Sequence, residues 1–240
     1  MSRNAASSRA VPTKEFRRRI ITDPVVPVEF GVNRKGMQAT EQLEGSQLFL
    51  VKQLWLSARW PAVFFHYLLT DLLHLHKQVA NRLLEPWAWA DVVVSGTEWK
   101  NFFYLRANPA AQPEFRTAAT LMKTAYDNSV PSVLYSGDWH LPYVTIDERK
   151  LYSVEQLRYI SAARCARVSY YLREGGLSSS DKDIAMCEKL LKDKHASPFE
   201  HVACATKELT RYGNYVGWRQ WRKDFENESN GDYIEEVISK

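Results

Sequence analysis

The chain has 240 residues, of which 45% are apolar and 12% aromatic, enough to bury a substantial core. Its 32 Lys and Arg residues against 28 Asp and Glu leave a net charge of +4 with mixed signs, which is weak support for nucleic-acid binding. Three unclustered cysteines, Cys165, Cys187 and Cys204, argue against a disulfide framework and a zinc site. With no apolar signal segment and no run of about 18 apolar residues, we expect neither export nor a membrane span.

The first half of the chain is predicted to be mainly helical. Residues 2–45 are rich in Ser, Pro and Gly and predict an irregular opening, with one short helix over 14–21 that ends at Asp23-Pro24. From 46 to 84, leucine and valine recur at spacings of three and four, which predicts a long central helix interrupted near Pro61.

After this helix the pattern changes. WADVVVSG (89–96) predicts a strand, and TEWKNFFYLR (97–106) predicts a short, partly buried helix. Asn108-Pro109 has the form of a cap followed by an early helical proline, so we expect a second long helix to open there.

The second half alternates between helix and strand. We expect helices over 153–164 and 181–192, a strand in ARVSYYL (166–172), and strands of a sheet over 195–221. Because helices and strands are segregated along the chain, the predicted class is α+β, with long central helices packed against an antiparallel sheet.

The opening residues are the first candidate anion site. Ser2, Arg3, Asn4, Ser7, Ser8 and Arg9 lie within eight residues and offer three hydroxyls and two guanidinium groups. A guanidinium can hold two phosphate oxygens at once. A disordered tail is the alternative interpretation.

Two further arginines lie in apolar surroundings. Arg82 is on the leucine-rich stretch just before Pro86, where it suits either a ligand contact or an ion pair with Glu85. Arg106 ends NFFYLR, where it suits either a ligand contact or a cation at a helix C-terminus.

HASPFEH (195–201) places His195, Glu200 and His201 around a Ser-Pro turn. A metal site is disfavoured because no third strong ligand is near, so we expect the tract to face a ring-bearing cofactor. Cys165 lies between Arg164 and Arg167, but a small buried cysteine is the favoured interpretation. The sequence has no GxSxG, Walker or GxGxxG motif.

Taken together, these segments resemble the conserved blocks of flavin-dependent thymidylate synthases, whose hallmark is RHRxxSxNExSxRY. SRNAASSRA (2–10) matches the second half of that hallmark at Ser2, Asn4, Ser7 and Arg9. The block order is rotated, as in tailed-phage relatives, with the hallmark first and the SPFEH block late. The other matching blocks are ANRLLEP, NFFYLRANPAAQPE, CARVSY, HASPFEH and GWRQWRK.

The resemblance implies reductive methylation of dUMP to dTMP by a homotetramer. Methylenetetrahydrofolate would supply the carbon, FAD the hydride, and NADPH would reduce the flavin. Arg106 would contact the pyrimidine and stabilise charge on it. The other dUMP ligands would be Ser7, Arg9, Arg82 and Gln220, and the positions facing FAD would be Asn101, Ser169, His195, Ser197 and Glu200.

The same resemblance implies a single domain: a signature region (1–45), a helical nucleotide-binding part (46–145) and a flavin-facing part (146–240). The RHR half of the hallmark has no counterpart at the start of the sequence. We therefore expect either an upstream segment or flavin contacts from Arg219, Arg222 and Lys223, and FENES (225–229) is a faint echo of the NExS element.

Three functional hypotheses follow. The first is a cytoplasmic enzyme, in the host cytoplasm if the gene belongs to a phage. The second is a non-catalytic nucleotide- and flavin-binding homologue, and the third a basic nucleic-acid-binding module.

Overall fold

The computed structural model describes residues 1–36, 38–168, 178–225 and 228, and within them the chain is a mixed α+β protein with small antiparallel sheets. The predicted α+β class is confirmed. The described chain divides into two compact units. The helical unit comprises Ser7–Ala90 and Lys100–Ser129, and the sheet unit comprises Met1–Ala6, Asp91–Trp99 and the described part of Val130–Lys240.

The helical unit is held by an apolar core between helices. Phe16 and Ile20 on the first helix pack with Val63, Leu84 and Trp87. Burying one such side chain contributes about 1.5–3 kcal/mol. The elements are a 3-10 turn Ser8–Ala10, α1 Thr13–Thr22, α2 Gly45–Ser57, α3 Arg59–Tyr67, a π turn Leu68–Leu72, α4 Lys77–Ala80, a 3-10 helix Asn81–Trp87, α5 Trp99–Arg106 and α6 Pro113–Asp127.

The predicted central helix over 46–84 is broken twice. The break between α2 and α3 agrees with the prediction near Pro61, which lies in the first turn of α3, where proline is tolerated. The second break, at residues 73–76, was not predicted. There His74 has a φ of 54°, and the chain restarts at His76, whose ring accepts from the Gln78 N–H at 3.2 Å. The leucine spacing continues through this break. Apolar periodicity does not reveal a local change of chain direction, so the sequence did not predict the break.

The start of α6 also differs from prediction. The Asn108 side chain accepts from the Ala110 N–H at 2.9 Å, and its carbonyl accepts from the Ala111 N–H at 2.9 Å. These bonds form a turn rather than a helix start, so α6 begins at Pro113, in the first helical position where proline costs no hydrogen bond.

The described part of the sheet unit contains two two-stranded sheets and one three-stranded sheet, in which Ala203–Ala205 lies between Trp139–His140 and Trp218–Gln220; all are antiparallel. Its strands are β1 Ser2–Ala5, β2 Val92–Ser95, β3 Trp139–His140, β4 Ala203–Ala205, β5 Arg211–Tyr212, β6 Tyr215–Val216 and β7 Trp218–Gln220. Its helices are α7 Ile146–Leu151, α8 Val154–Ala166 and α9 Ser180–Lys192, with 3-10 turns Ser197–Glu200 and Trp221–Asp224.

Several predictions for this unit are confirmed and two are wrong. The strand in WADVVVSG and the helices over 153–164 and 181–192 are present. The opening is not irregular throughout, because residues 2–5 form β1 and pair with β2, with Ser2 opposite Ser95. SPFE is a 3-10 turn rather than a strand. Most of the predicted strand in ARVSYYL falls on residues 169–172, which lie outside the described residues.

The core of the sheet unit forms around α8. Ile160, Ala162 and Ala163 are fully buried and pack with Phe199 and Trp221. Burial raises the pKa of the neighbouring Cys165 thiol to about 12. The favoured interpretation of Cys165 as a small buried residue is therefore confirmed.

One buried guanidinium joins three helices of this unit. Arg164 is only 1% exposed. It donates to Asp183 Oδ2 at 2.8 Å, to Glu148 Oε1 at 2.6 Å and to the Tyr143 carbonyl at 2.7 Å. The Arg164 hydrogen bond is the main reason that the pKa of Glu148 falls to about 2. One buried cation is therefore paired with two carboxylates.

Within the described residues, no helix is both long enough and apolar enough to cross a lipid bilayer.

Replacing Arg164 with Met should destabilise the protein strongly. The change leaves the Glu148 carboxylate without its cation and Asp183 with Arg167 alone, whose NH1 lies 3.1 Å from Asp183 Oδ1. Breaking a buried pair in this way costs about 3–5 kcal/mol. The free energy of unfolding in urea measures the effect. Lys150→Met is the matched control, since its pair with Asp147 is 69% and 85% exposed and contributes less than about 1 kcal/mol. Equal effects of the two substitutions would refute the account of Arg164.

Candidate functional site

The Ser7–Arg9 turn presents a hydroxyl and a guanidinium side by side. Arg9 Nε donates to Ser7 Oγ at 3.3 Å, and the Arg9 side chain is exposed. The turn is closed by a bond of 3.0 Å from the Ala10 N–H to the Ser7 carbonyl. Residues 7–10 thus form a defined turn.

Arg82 lies on the segment that holds this turn. Asn81 Nδ2 donates to the Ser8 carbonyl at 2.7 Å, and Ser8 Oγ donates to Glu85 Oε1 at 2.6 Å. Arg82 lies between these two contacts in the 3-10 helix Asn81–Trp87 and is exposed. Among residues 1–36 and 38–168, no ion pair joins Arg82 to Glu85, whose carboxylate accepts from Ser8 Oγ.

Arg106 and Asn101 belong to the same unit but to a different element. Both are exposed on α5, and the Arg106 guanidinium lies 5.5 Å from the centre of the Phe115 ring. Within the described part of the helical unit, no hydrogen bond or ion pair links Arg106 to Ser7, Arg9 or Arg82. The structure therefore places Ser7, Arg9 and Arg82 on two segments that are hydrogen-bonded to each other. It leaves Arg106 on a third segment.

In the sheet unit, Asn4 joins two of the sequence blocks. Asn4 Nδ2 donates to the Cys165 carbonyl at 3.3 Å, and Asn4 Oδ1 accepts from Ser197 Oγ. The opening block, CARVSY and HASPFEH thus meet at one amide. Ser197 and His195 are exposed, whereas Ser169 lies outside the described residues.

Ser2 makes the equivalent connection to GWRQWRK. Gln220 Nε2 donates to Ser2 Oγ at 2.9 Å and to the Glu200 carbonyl at 3.0 Å, and Asn214 Nδ2 also donates to Ser2 at 3.0 Å. Gln220 is buried. Its observed contacts are within the chain, and its predicted contact with the nucleotide stays a prediction.

The cations suggested as replacements for the RHR element are paired with acids. Arg222 pairs with the Glu200 carboxylate, Lys223 with Glu228 at 2.8 Å, and Arg219 with Asp224 at 2.6 Å. Arg219 is 48% exposed. An exposed pair contributes little stability, so an anion that displaces Asp224 from Arg219 loses less free energy than one that displaces the acids from Arg222 or Lys223.

His201, the second histidine of HASPFEH, lies in the interior. Its Nδ1 is 2.8 Å from Ser95 Oγ, and its Nε2 has no hydrogen-bond partner among the described residues. Burial lowers the pKa of His201 to about 4, so the ring is neutral at physiological pH. In the described residues, no group of three His, Cys, Asp or Glu side chains is placed to hold a metal ion.

The sequence analysis did not identify Lys77 and Asn81 as site residues. Lys77 Nζ donates to the Ala10 carbonyl at 3.0 Å, and Asn81 holds Ser8 as described above. Neither residue had a signal in the sequence, because a polar residue in a leucine-rich stretch is recognised as holding another segment only when its partners are known.

Comparison of the chain with protein-family models, with curated proteins and with solved structures found no match. The functional argument therefore depends on the residues and their contacts.

The buried His201 should make stability depend on pH. Its folded pKa is lowered to about 4 from 6.5, so its contribution is complete above pH 6.5 and is lost as pH falls from 6.5 towards 4. His201→Asn keeps a polar atom near the Nδ1 position but cannot titrate, so it should remove about one proton from the pH dependence of the free energy of unfolding. His195→Asn, at an exposed histidine of the same tract, is the control for the loss of an imidazole outside the interior. An unchanged slope in His201→Asn would refute the assignment.

Proposed function

We propose that this chain is a flavin-dependent thymidylate synthase that methylates dUMP reductively to dTMP, and that it has the fold of that family. The observation that carries the proposal is the contact between motif blocks far apart in sequence. Asn4 is bonded to Cys165 and Ser197, 161 and 193 residues away, and Ser8 is bonded to Asn81 and Glu85. Blocks in rotated order are expected to make such contacts within each unit if the chain has the fold of that family.

The phosphate of dUMP is the proposed ligand of Ser7, Arg9 and Arg82. Arg9 and Arg82 are exposed, and Ser7 Oγ already lies beside Arg9 Nε. Two guanidinium groups and a hydroxyl offer charge-assisted hydrogen bonds to a dianion. Their place on segments fixed by Asn81 reduces the ordering that binding requires.

Arg106 is the proposed catalytic residue. A guanidinium beside the pyrimidine would stabilise negative charge that develops on the ring during carbon transfer. The proposed reaction needs no protein thiolate, which agrees with the burial of Cys165 and its raised pKa of about 12. The chain's contribution is then positioning and electrostatics.

FAD, methylenetetrahydrofolate and NADPH are the proposed cofactor and co-substrates. The chemistry that FAD would supply when bound is hydride transfer, after its reduction by NADPH. The exposed His195 and Ser197 offer hydrogen bonds to a flavin. Asn101 and Glu200 are the other described residues proposed to face FAD, and Ser169 remains part of the proposal. Half-exposed Arg219 suits a pyrophosphate, since its acid partner is on the surface.

A homotetramer is part of the same proposal. Helix α2 has no buried residue, although Phe49, Leu50 and Leu54 lie on it and are more than half exposed. Exposed apolar residues grouped on one helix are typical of a surface that another subunit covers.

Purified protein should carry or take up FAD, become yellow, and form dTMP from dUMP with methylenetetrahydrofolate and NADPH. Arg106→Ala should lower kcat by about 10²–10³-fold, the usual effect of removing one donor that stabilises developing charge. Lys100→Ala is the matched control, since it removes an exposed cation from the same helix. A colourless protein that does not bind dUMP would end the proposal. Binding of dUMP and FAD without turnover would instead favour the non-catalytic homologue.

Titration calorimetry should detect dUMP binding that depends on the phosphate. Arg82→Gln should weaken dUMP affinity by about 10–100-fold, as expected for one charge-assisted hydrogen bond of about 1.5–3 kcal/mol. It should leave any binding of deoxyuridine, which has no phosphate, unchanged. Lys123→Gln on α6 is the control for the loss of one surface charge. Equal losses for dUMP and deoxyuridine would contradict a phosphate contact at Arg82.

A further inference from the structure

A continuous chain of buried polar groups runs through the helical unit to the Ser7–Arg9 turn. Arg17 NH1 is 3.1 Å from His66 Nδ1, and His66 Nε2 is 2.9 Å from Asn81 Oδ1. Asn81 Nδ2 then donates to the Ser8 carbonyl at 2.7 Å and to the Val11 carbonyl at 3.1 Å. His66 and Asn81 are fully buried. Neither belongs to the proposed set of ligands.

The partners in this chain fix the protonation state of His66. The Asn81 amide nitrogen faces two carbonyls, so its oxygen must be the atom that faces His66, and His66 Nε2 must therefore carry a hydrogen. A guanidinium only donates, so His66 Nδ1 must accept from Arg17. The chain is complete only with a neutral imidazole protonated at Nε2.

We propose that His66 and Asn81 are positioning residues that hold the Ser7–Arg9 turn in its binding conformation, and that protonation of His66 releases the turn. That the turn serves a nucleotide phosphate rests on the proposed function. The coupling between His66 and the turn depends only on the contacts above.

The surroundings of His66 decide the sign of this effect. Arg17 faces its Nδ1 from α1, and Asn81 faces its Nε2. Asp71 and Thr70 on the π turn accept from the same Arg17 NH1 at 2.9 and 3.1 Å. A proton on Nδ1 would break the Arg17 bond and place two cations against each other, so the ring would have to leave this position and with it the Asn81 contact that steadies the amide holding Ser8.

Burial lowers the pKa of His66 below 6.5, aided by the charge of Arg17 and opposed by the Asn81 bond and by Asp71. As pH falls, His66 therefore binds a proton at a higher pH in the conformation with the turn released than in the conformation with the turn held. The hold on the turn is complete above pH 6.5 and weakens as pH falls towards the lowered value.

Hydrogen exchange tests the coupling directly and needs no ligand. The Ala10 and Val11 amides donate to the Ser7 and Ser8 carbonyls, at 3.0 and 3.2 Å, and so report on the turn. In the wild type, their protection factors should be constant above about pH 7 and fall by up to about tenfold per pH unit below the ordinary pKa of histidine. The buried Ala119 amide on α6 is the internal reference and should not follow.

Two substitutions separate positioning from bulk stability. His66→Gln presents an amide nitrogen to Asn81 and an amide oxygen to Arg17, so it should keep the protection of the turn and remove its pH dependence. His66→Phe offers neither group and should lose protection at Ala10 and Val11 at every pH. Constant wild-type protection, a His66→Gln variant that titrates like the wild type, or an equal loss at Ala119 would each overturn the proposal.

Calorimetry with dUMP on the same samples distinguishes this proposal from the proposed function. The wild type should lose affinity relative to His66→Gln as pH falls, and the comparison cancels the titration of the phosphate itself because both variants meet the same ligand. Turn protection that behaves as described in a protein without dUMP affinity supports the positioning role and refutes the function. If dUMP binds but the wild type and His66→Gln have equal affinities across the pH range, the result supports the proposed function and refutes the positioning role.

Discussion

Buried amide side chains hold the opening segment of this protein. Residues 2–10 contain no large apolar side chain, so the segment has little hydrophobic surface with which to anchor itself. Gln220 fixes Ser2 in the sheet unit, and Asn81 fixes Ser8 in the helical unit. A buried amide that makes all its hydrogen bonds is specific about its partners, since each unmade bond costs about 1–3 kcal/mol. The candidate phosphate ligands owe their placement to these contacts.

The same logic governs the charged interior. Arg164 is tolerated because two carboxylates and a carbonyl complete its hydrogen bonds, and His66 is tolerated because Arg17 and Asn81 satisfy both ring nitrogens. Each network demands one protonation state, so both resist local rearrangement. The exposed arginines, Arg9 and Arg82, are left free of such demands and remain open to a ligand.

Local signals in the sequence predicted most helices and the β2 strand, because caps, prolines and apolar spacing act over a few residues. Pro61 and the Ser153 cap are examples. The break at His74 was missed because a single left-handed residue leaves no trace in the apolar pattern. Strand β1 was missed because its partner, Val92–Ser95, lies some ninety residues away, and pairing at that distance is not encoded in the composition of either segment.

The candidate site was predicted only in part for a related reason. Arg9 and Arg82 stood out in the sequence because a charged side chain on a small-residue or apolar segment needs a partner or a function. Asn81 and His66 did not, since a polar residue in a leucine-rich stretch is recognised as buried only when its partners are known. The central claim is that Ser7, Arg9 and Arg82 receive the phosphate of dUMP.

A crystal structure of the protein with dUMP tests this claim most directly. The account predicts phosphate oxygens within about 3 Å of Ser7 Oγ and of both guanidinium groups. A phosphate bound elsewhere, with Arg9 and Arg82 still turned to solvent, would contradict it.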